Sequence, residues 1–416
     1  MTPEIKKRIG QIQQGTVPKG YKETYAGVIP NSWSCCPIHA CLNILNHERK
    51  PISEDERKAI PGPYPYYGPT QAQGYIATYE SEGPAVLIGE DGDHFLKYKD
   101  REMTMYVDGK YTVNNHAHVL RGTELCETKW FCYAYQHKSL FDAITRQGAG
   151  RYKLTKEALI KLPLQCPPIE EQRKIISILN TQDKVIKLKE RRLAEKQRQK
   201  KYLMQQLLTG KKRLLGFGGE WKANRLRNIA TRHTKRNAIG NTNVLTISAQ
   251  YGLINQAEFF NKAVASDDKS NYFLLKKGDF AYNKSYSNGY PFGAIKRLTR
   301  YEVGIVSPLY ICFRIKEGSV SGEYLEQYFE AGLMNHEIQA FAQEGARNHG
   351  LLNIAVDDFF NSKILFPSLE EQTAIAEVLS ASDREIDLLR QDIEHEKQKK
   401  KALMQLLLTG IVRVKV

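Results

Sequence analysis

The chain has 416 residues, room for about three domains by length alone. Hydrophobic residues make up 41% and aromatics 10%, which excludes a largely disordered chain. A formal net charge of +15, from 61 Lys+Arg against 46 Asp+Glu, points to a polyanionic partner, nucleic acid before others. No apolar run approaches the ~18–20 residues of a membrane span, and Lys6-Lys7-Arg8 is followed by no apolar signal core. Seven cysteines without framework spacing suit a reducing compartment, so a cytoplasmic chain is expected.

Residues 1–165 read as mixed strands and helices. Early on, Cys35, Cys36, His39 and Cys41 lie close enough to raise zinc, but they form no C-x-x-C knuckle and no second matched pair follows. Ordinary buried cysteines are the plainer expectation. A Pro/Gly-punctuated loop then sets Tyr64, Tyr66, Tyr67 and Tyr75 around Gly68, Gln71, Gln73 and Gly74. Ala85–Gly89 and Ala117–Leu120 read as strands. Between them, Glu90-Asp91-Gly92-Asp93 suits Mg²⁺ if Glu127 and Lys129 join it, although a polar turn closing a strand is simpler. His116 and His118 alternate as strand neighbours on one face, and are expected to pack or to face DNA rather than to bind metal. Thr128–Arg146 reads as an amphipathic helix, followed by a Gly148–Arg151 turn.

Pro167-Pro168 introduces a long helical stretch that ends at Gly210. Beyond it, residues 213–365 repeat the style of the first segment loosely. Trp221 follows Gly218-Gly219-Glu220 much as Trp33 follows Pro30-Asn31-Ser32. Val244–Ile247, Phe280–Tyr282 and Gly304–Ile315 read as strands, and Ser321–Gln343 as a helix before a Gly345-Ala346-Arg347 turn. Pro367 then introduces a second long helix.

The two long stretches are copies. Residues 170–210 and 370–410 align without a gap at an offset of 200, with 17 identities in 41 positions. Acidic residues fill each opening turn, where they oppose the helix dipole favourably. The apolar stripe of the first is Ile169, Ile175, Leu179, Ile186, Leu193, Leu203 and Leu207. Its counterpart is Leu369, Ile375, Leu379, Ile386, Ile393, Leu403 and Leu407, and the spacings suit a helix–helix seam. A helix of ~40 residues with so narrow a stripe needs a partner, and its own copy is the nearest one. Lys187–Lys201 holds eight cations and two anions, a balance that nudges the pairing toward antiparallel. The expected order is therefore domain 1–166, helix 167–210, domain 211–366, then helix and tail 367–416. The fold class is α+β, with two globular domains and an antiparallel intramolecular coiled coil.

Catalytic motifs are missing from the sequence. It contains no GxxxxGK[ST] phosphate loop, no Asn/Asp-Pro-Pro-Tyr and no Gly-rich dinucleotide turn. A binder is favoured over an enzyme. Loop residues suited to duplex DNA are Tyr66, Tyr67, Gln71, Gln73, Asn115, Arg146 and Arg151 in the first domain. In the second they are Asn283, Lys284, Tyr286, Asn288, Arg347 and Asn348. Gln and Asn read base edges, Arg and Lys meet phosphates, and glycines admit close backbone approach. A coiled-coil adaptor that binds only proteins is the alternative.

The chain resembles a type I restriction–modification specificity subunit over nearly its full length. The resemblance rests on Pro167-Pro168-Ile169-Glu170-Glu171-Gln172 and Pro367-Ser368-Leu369-Glu370-Glu371-Gln372, with the closings Leu207–Gly210 and Leu407–Gly410. Tyr64-Pro65-Tyr66-Tyr67-Gly68, Leu87–Gly92 and Asn115–Leu120 add to it. It implies two target-recognition domains reading a bipartite, asymmetric DNA site, with the helix pair setting the gap. It also implies two modification subunits that use S-adenosylmethionine to methylate adenine, and restriction subunits that use ATP and Mg²⁺. No cofactor or metal is expected in this chain.

Overall fold

The computed structural model describes residues 2–148, 151–248, 251–260, 268–287, 289–344 and 352–415. The chain divides into two compact units, residues 1–189 with 392–416, and residues 190–391. Two 39-residue helices, Ile169–Leu207 and Leu369–Leu407, each begin in one unit and end in the other. At 1.5 Å per residue each is about 60 Å long. No helix among the described residues is long and apolar enough to cross a membrane.

In the first unit, Ala85–Gly89 is buried at every position because it lies inside a four-stranded sheet. The order is Thr104–Val107, Ala85–Gly89, Ala117–Gly122, Leu42–Ile44, with every pairing antiparallel. A second sheet carries Ala72–Ile76, Pro61–Tyr67, Lys110–Val113 and Ser81–Glu82. The helix expected over 128–146 stops sooner, at Thr128–Tyr135. Trp130, Phe131 and Tyr135 are already buried by then, and the chain turns so that Leu140 (3% exposed) also reaches the core. It then enters the short strand Thr145–Arg146.

In the second unit the main sheet runs Ala230–Arg232, Ile311–Ile315, Phe280–Asn283, Ala294–Arg297. Its core is aromatic: Phe280 stacks on Phe313 with centroids 5.1 Å apart, and Phe329 meets both edge-on. The strand expected over 304–315 is two strands, Val303–Val306 and Ile311–Ile315, serving different sheets. Pro308 lies in the break, where a ladder donor would be lacking. The helix expected over 321–343 is likewise two, Gly322–Glu330 and Asn335–Phe341, parted at Gly332, whose φ of +70° ends the first.

Each globular part is closed by its own first and last strands. Ser34–Pro37 pairs with Pro163–Cys166, and Lys222–Arg225 with Lys363–Phe366. The prolines that follow stop the ladder and start the long helix.

Within both units the long helices run antiparallel. In the first, Lys189 bonds Asp392 and Glu396 at 2.8 Å each, and Lys400 meets Asp183 at 2.7 Å. In the second, Lys196 meets Glu385 at 2.9 Å and Lys200 meets Asp383 at 2.5 Å. Four of the eight cations of the Lys187–Lys201 run, Lys189, Arg192, Lys196 and Lys200, thus face carboxylates of the partner helix. Ile186, Ile386 and Ile393 are buried along it. Ile175, Leu179, Leu403 and Leu407 also belong to the core of the first globular part, and Leu203, Leu207, Ile375 and Leu379 to that of the second. Leu193 is only half-buried.

The duplicated Glu-Glu-Gln is a clamp. Glu171, 1% exposed, receives two bonds from Arg413 (2.6 and 2.7 Å) and one from the Trp33 indole (3.0 Å). Glu371, equally buried, receives two from Arg213 (2.5 and 2.6 Å). The arginine in each case lies three residues beyond the glycine that ends the opposite helix. Gln172 and Gln372 each accept a module backbone N–H, from Glu127 (2.9 Å) and Ser321 (3.0 Å), and each donates to the carbonyl of Pro167 or Pro367.

Candidate nucleic-acid interface

Three sequence motifs that lie far apart along the first domain meet at one surface. The hairpin around Gly68 is joined to the turn after Val113, since Asn114 N–H donates to the Tyr67 carbonyl (2.9 Å) and Asn114 Nδ2 to Gln73 Oε1 (3.3 Å). That turn is joined in its own right to the acidic loop. Glu90 N–H donates to the His116 carbonyl (2.8 Å), and His116 Nδ1 faces Asp91 Oδ2 at 2.9 Å. Arg151 closes the circuit at 3.7 Å from Asp91, on the hairpin Thr145–Arg146 / Tyr152–Lys153 that pairs with Asp91–Gly92. Gln71, Gln73, Asn115, Arg146 and Arg151 are all exposed around this circuit.

One expected contact changes role. Tyr66 is 1% exposed, its hydroxyl accepts from Ile52 N–H and donates to the Lys50 carbonyl, and Arg57 covers its ring. It is a core residue, because the sheet register turns it inward. Tyr67 is half-buried against Tyr111. His116 and His118 do not share a face, since the strand begins only at Ala117. His118 is 1% exposed, with Nδ1 on Asn46 and Nε2 on the Leu154 carbonyl, and burial lowers its pKa. His116 sits in the turn, with its side chain 43% exposed.

The acidic loop is filled with cations of the chain itself. Glu90 meets Arg49 at 2.7 Å and Lys153 at 3.3 Å. Burial pushes its carboxyl up, but Arg49, His118 and Lys153 outweigh this and leave it below the ordinary value. Glu127 is bound to Arg173 at 2.7 Å instead of joining the loop. Nor do the cysteine candidates converge: Cys41 turns into the core with Sγ on the Pro37 carbonyl, while exposed His39 bonds the Ile160 carbonyl. Among the described residues no three His, Cys, Asp or Glu side chains are placed to hold a metal. Arg49, which ties Glu90 to the carbonyls of Asn115 and Ala117, went unnoticed in the sequence because it lies 41 or more residues from its partners.

The second domain builds a different surface. Tyr286 is 63% exposed at the tip of a loop that leaves the strand Phe280–Asn283. Asn283 Oδ1 accepts from Ser285 N–H (3.1 Å), and the Lys284 carbonyl from Leu352 N–H (3.1 Å). Asn283 and Lys284 are half-buried. The far end of the loop is tied down by Tyr290, whose hydroxyl donates to Glu330 at 2.5 Å and accepts from Lys296 at 2.9 Å. Asn288, Arg347 and Asn348 lie outside the described residues, as do Ala149 and Gly150 of the first Gly/Arg turn and the whole of the second.

Residues 41–197 match the family model of the type I restriction modification DNA specificity domain. The chain is 36% identical over 144 residues to a type I restriction enzyme specificity subunit of Haemophilus influenzae. That match covers 35% of this chain and only about a third, 36%, of the relative. It is 23% identical to the MjaVIII specificity subunit of Methanocaldococcus jannaschii, over 97% of this chain and 98% of that one. Among solved structures, the type I S subunit from M. genitalium superposes with a TM-score of 0.58 at 11% identity, covering 90% of this chain and 96% of the other. A chain from work on assembly and conformational transition of the type I R-M system gives 0.50 at 14% identity, over 92% and 99%. At such identities the structures speak for the fold alone. Residues 41–197 thus carry the type I restriction modification DNA specificity domain match, and over nearly its full length the chain is similar to type I restriction enzyme specificity subunits.

Proposed function

We propose that the chain is a non-catalytic, sequence-specific DNA-binding subunit that reads a bipartite, asymmetric duplex site for a type I restriction–modification complex. Target-recognition domains are assigned to 1–166 and 211–366, and spacer helices to 167–210 and 367–416. Each domain reads one half-site, and the helix pair sets the unread gap between them. The observation that carries this reading is the contrast between the clamps, built alike at Glu171 and Glu371, and the loop surfaces, built unlike. Such a chain holds two different readers in equivalent frames.

Twin apolar positions suit two copies of one partner. The first unit exposes Ile178 (39%) and Leu188 (62%), the second Val378 (36%) and Leu388 (65%). Two modification subunits, which methylate adenine with S-adenosylmethionine, would dock there. Restriction subunits that use ATP and Mg²⁺ would join them, all in the cytoplasm, with the chemistry in those partners. The test is methylome sequencing of a host with and without the chain. Loss of one bipartite methyladenine motif is the expected result, and an unchanged methylome would overturn the reading.

A further inference from the structure

We propose that His116 reads a single base of the first domain's half-site, with Asp91 as its positioning residue. This rests on the reading of that domain as a DNA-recognition module. The residue is held by its backbone and by one ring nitrogen. Its backbone N–H donates to Asn114 Oδ1 (2.9 Å), its backbone carbonyl accepts from Glu90 N–H, and ring Nδ1 faces Asp91 Oδ2 at 2.9 Å. A carboxylate only accepts, so Nδ1 carries the proton and the tautomer is fixed. Asp91 is itself fixed, in a strand paired with Lys153.

What remains is Nε2, which has no hydrogen-bond partner among the described residues on a side chain 43% exposed. His118, two residues on, has both ring nitrogens occupied and is buried. A single nitrogen aimed in one direction suits the edge of one base. Phosphates are better met by the exposed guanidinium groups of Arg146 and Arg151 on the neighbouring hairpin. Gln73, hydrogen-bonded to Asn114, belongs to the same circuit and places a second reader beside the ring.

The test replaces the chain, in cells that hold its natural partners, by His116→Ala, His116→Gln and Asp91→Asn, and sequences the methylome. His116→Ala is expected to relax discrimination at one base pair of one half-site by about tenfold to a hundredfold, leaving all other positions unchanged. Asp91→Asn relaxes the same base pair less, and His116→Gln, which keeps a polar end, restores part of the preference or changes the base preferred. A motif unchanged in both His116 variants overturns the proposal. So does weakening spread evenly over all positions, or loss of all methylation in all three variants. If methylation is independent of the chain altogether, the DNA-recognition reading itself fails, separately from the role of His116.

Discussion

Around Glu171 and Glu371 the two halves of the chain are built nearly alike, and around Gln73 and Tyr286 they share nothing. Both clamps use a buried carboxylate, a bidentate arginine beyond the opposite helix, and a tryptophan beside the terminating glycine. The loops differ in strand context, length and side chains. The frame is therefore under one set of packing constraints while the reading surfaces are free to diverge, since loops carry specificity without carrying the core. The clamps differ at the tryptophan: Trp33 Nε1 donates to Glu171, whereas Trp221 Nε1 is buried with no hydrogen-bond partner among the described residues.

That comparison breaks hardest at the arginines. Arg413→Met strands Glu171, 1% exposed, and is expected to cost about 3 kcal/mol of unfolding free energy, the lower end for a broken buried pair because Arg413 is 39% exposed. Arg213→Met should cost a similar amount in denaturant titration; a large inequality would mean that the clamps are not equivalent. Trp33→Phe and Trp221→Phe sharpen the difference at the indole nitrogen. Both lose ring volume, but only the first loses a bond to a charge, and it should be less stable than the second by about 2 kcal/mol.

The glycines come next. Gly210 and Gly410 have φ of +69° and +68°, so alanine costs about 1 kcal/mol at either. At Gly410 an added Cβ would lie 2.6 Å from Pro30, against 3.2 Å from Trp221 at Gly210, so Gly410→Ala should lower the melting temperature more. Tyr66→Phe, which leaves Ile52 N–H without its acceptor, should cost about 1 kcal/mol without altering the recognised bases, whereas Gln71→Ala should alter one half-site. The smallest effect is electrostatic. Lys189, helped by Gln182, holds the Glu396 carboxyl at about 2 instead of 4.5. The pair's contribution is present above pH 4.5 and is lost as pH falls through 2. Lys189→Met should flatten the stability profile in that window, measured by urea titration at successive pH values.

The frame was legible in the sequence, because a copy at an offset of 200 and a 3.6-residue period survive in any reading of the residues. Strands such as Ala85–Gly89 were legible as continuous apolar runs. Helix ends were not: residues 128–146 and 321–343 keep helical patterning past the points where tertiary packing at Leu140 and the turn at Gly332 end the helices. The site was half legible. Gln71 and Arg151 could be named as polar loop residues, but tyrosines look alike in a loop and in a sheet, and only register shows that Tyr66 turns inward. The tie between Asp91 and His116 spans 25 positions and leaves no trace in spacing.

The residues that complete the first unit are also far from its beginning in time. Residues 190–391 form one uninterrupted stretch, so that unit has all its parts as soon as they leave the ribosome. The first unit waits: Arg8 bonds the Ile411 carbonyl across 403 positions, Tyr21 bonds that of Gly410, and Glu171 has no guanidinium until Arg413 is made. A chain interrupted before Arg413 would therefore carry every residue of the second unit but a first unit whose buried Glu171 lacks its guanidinium partner.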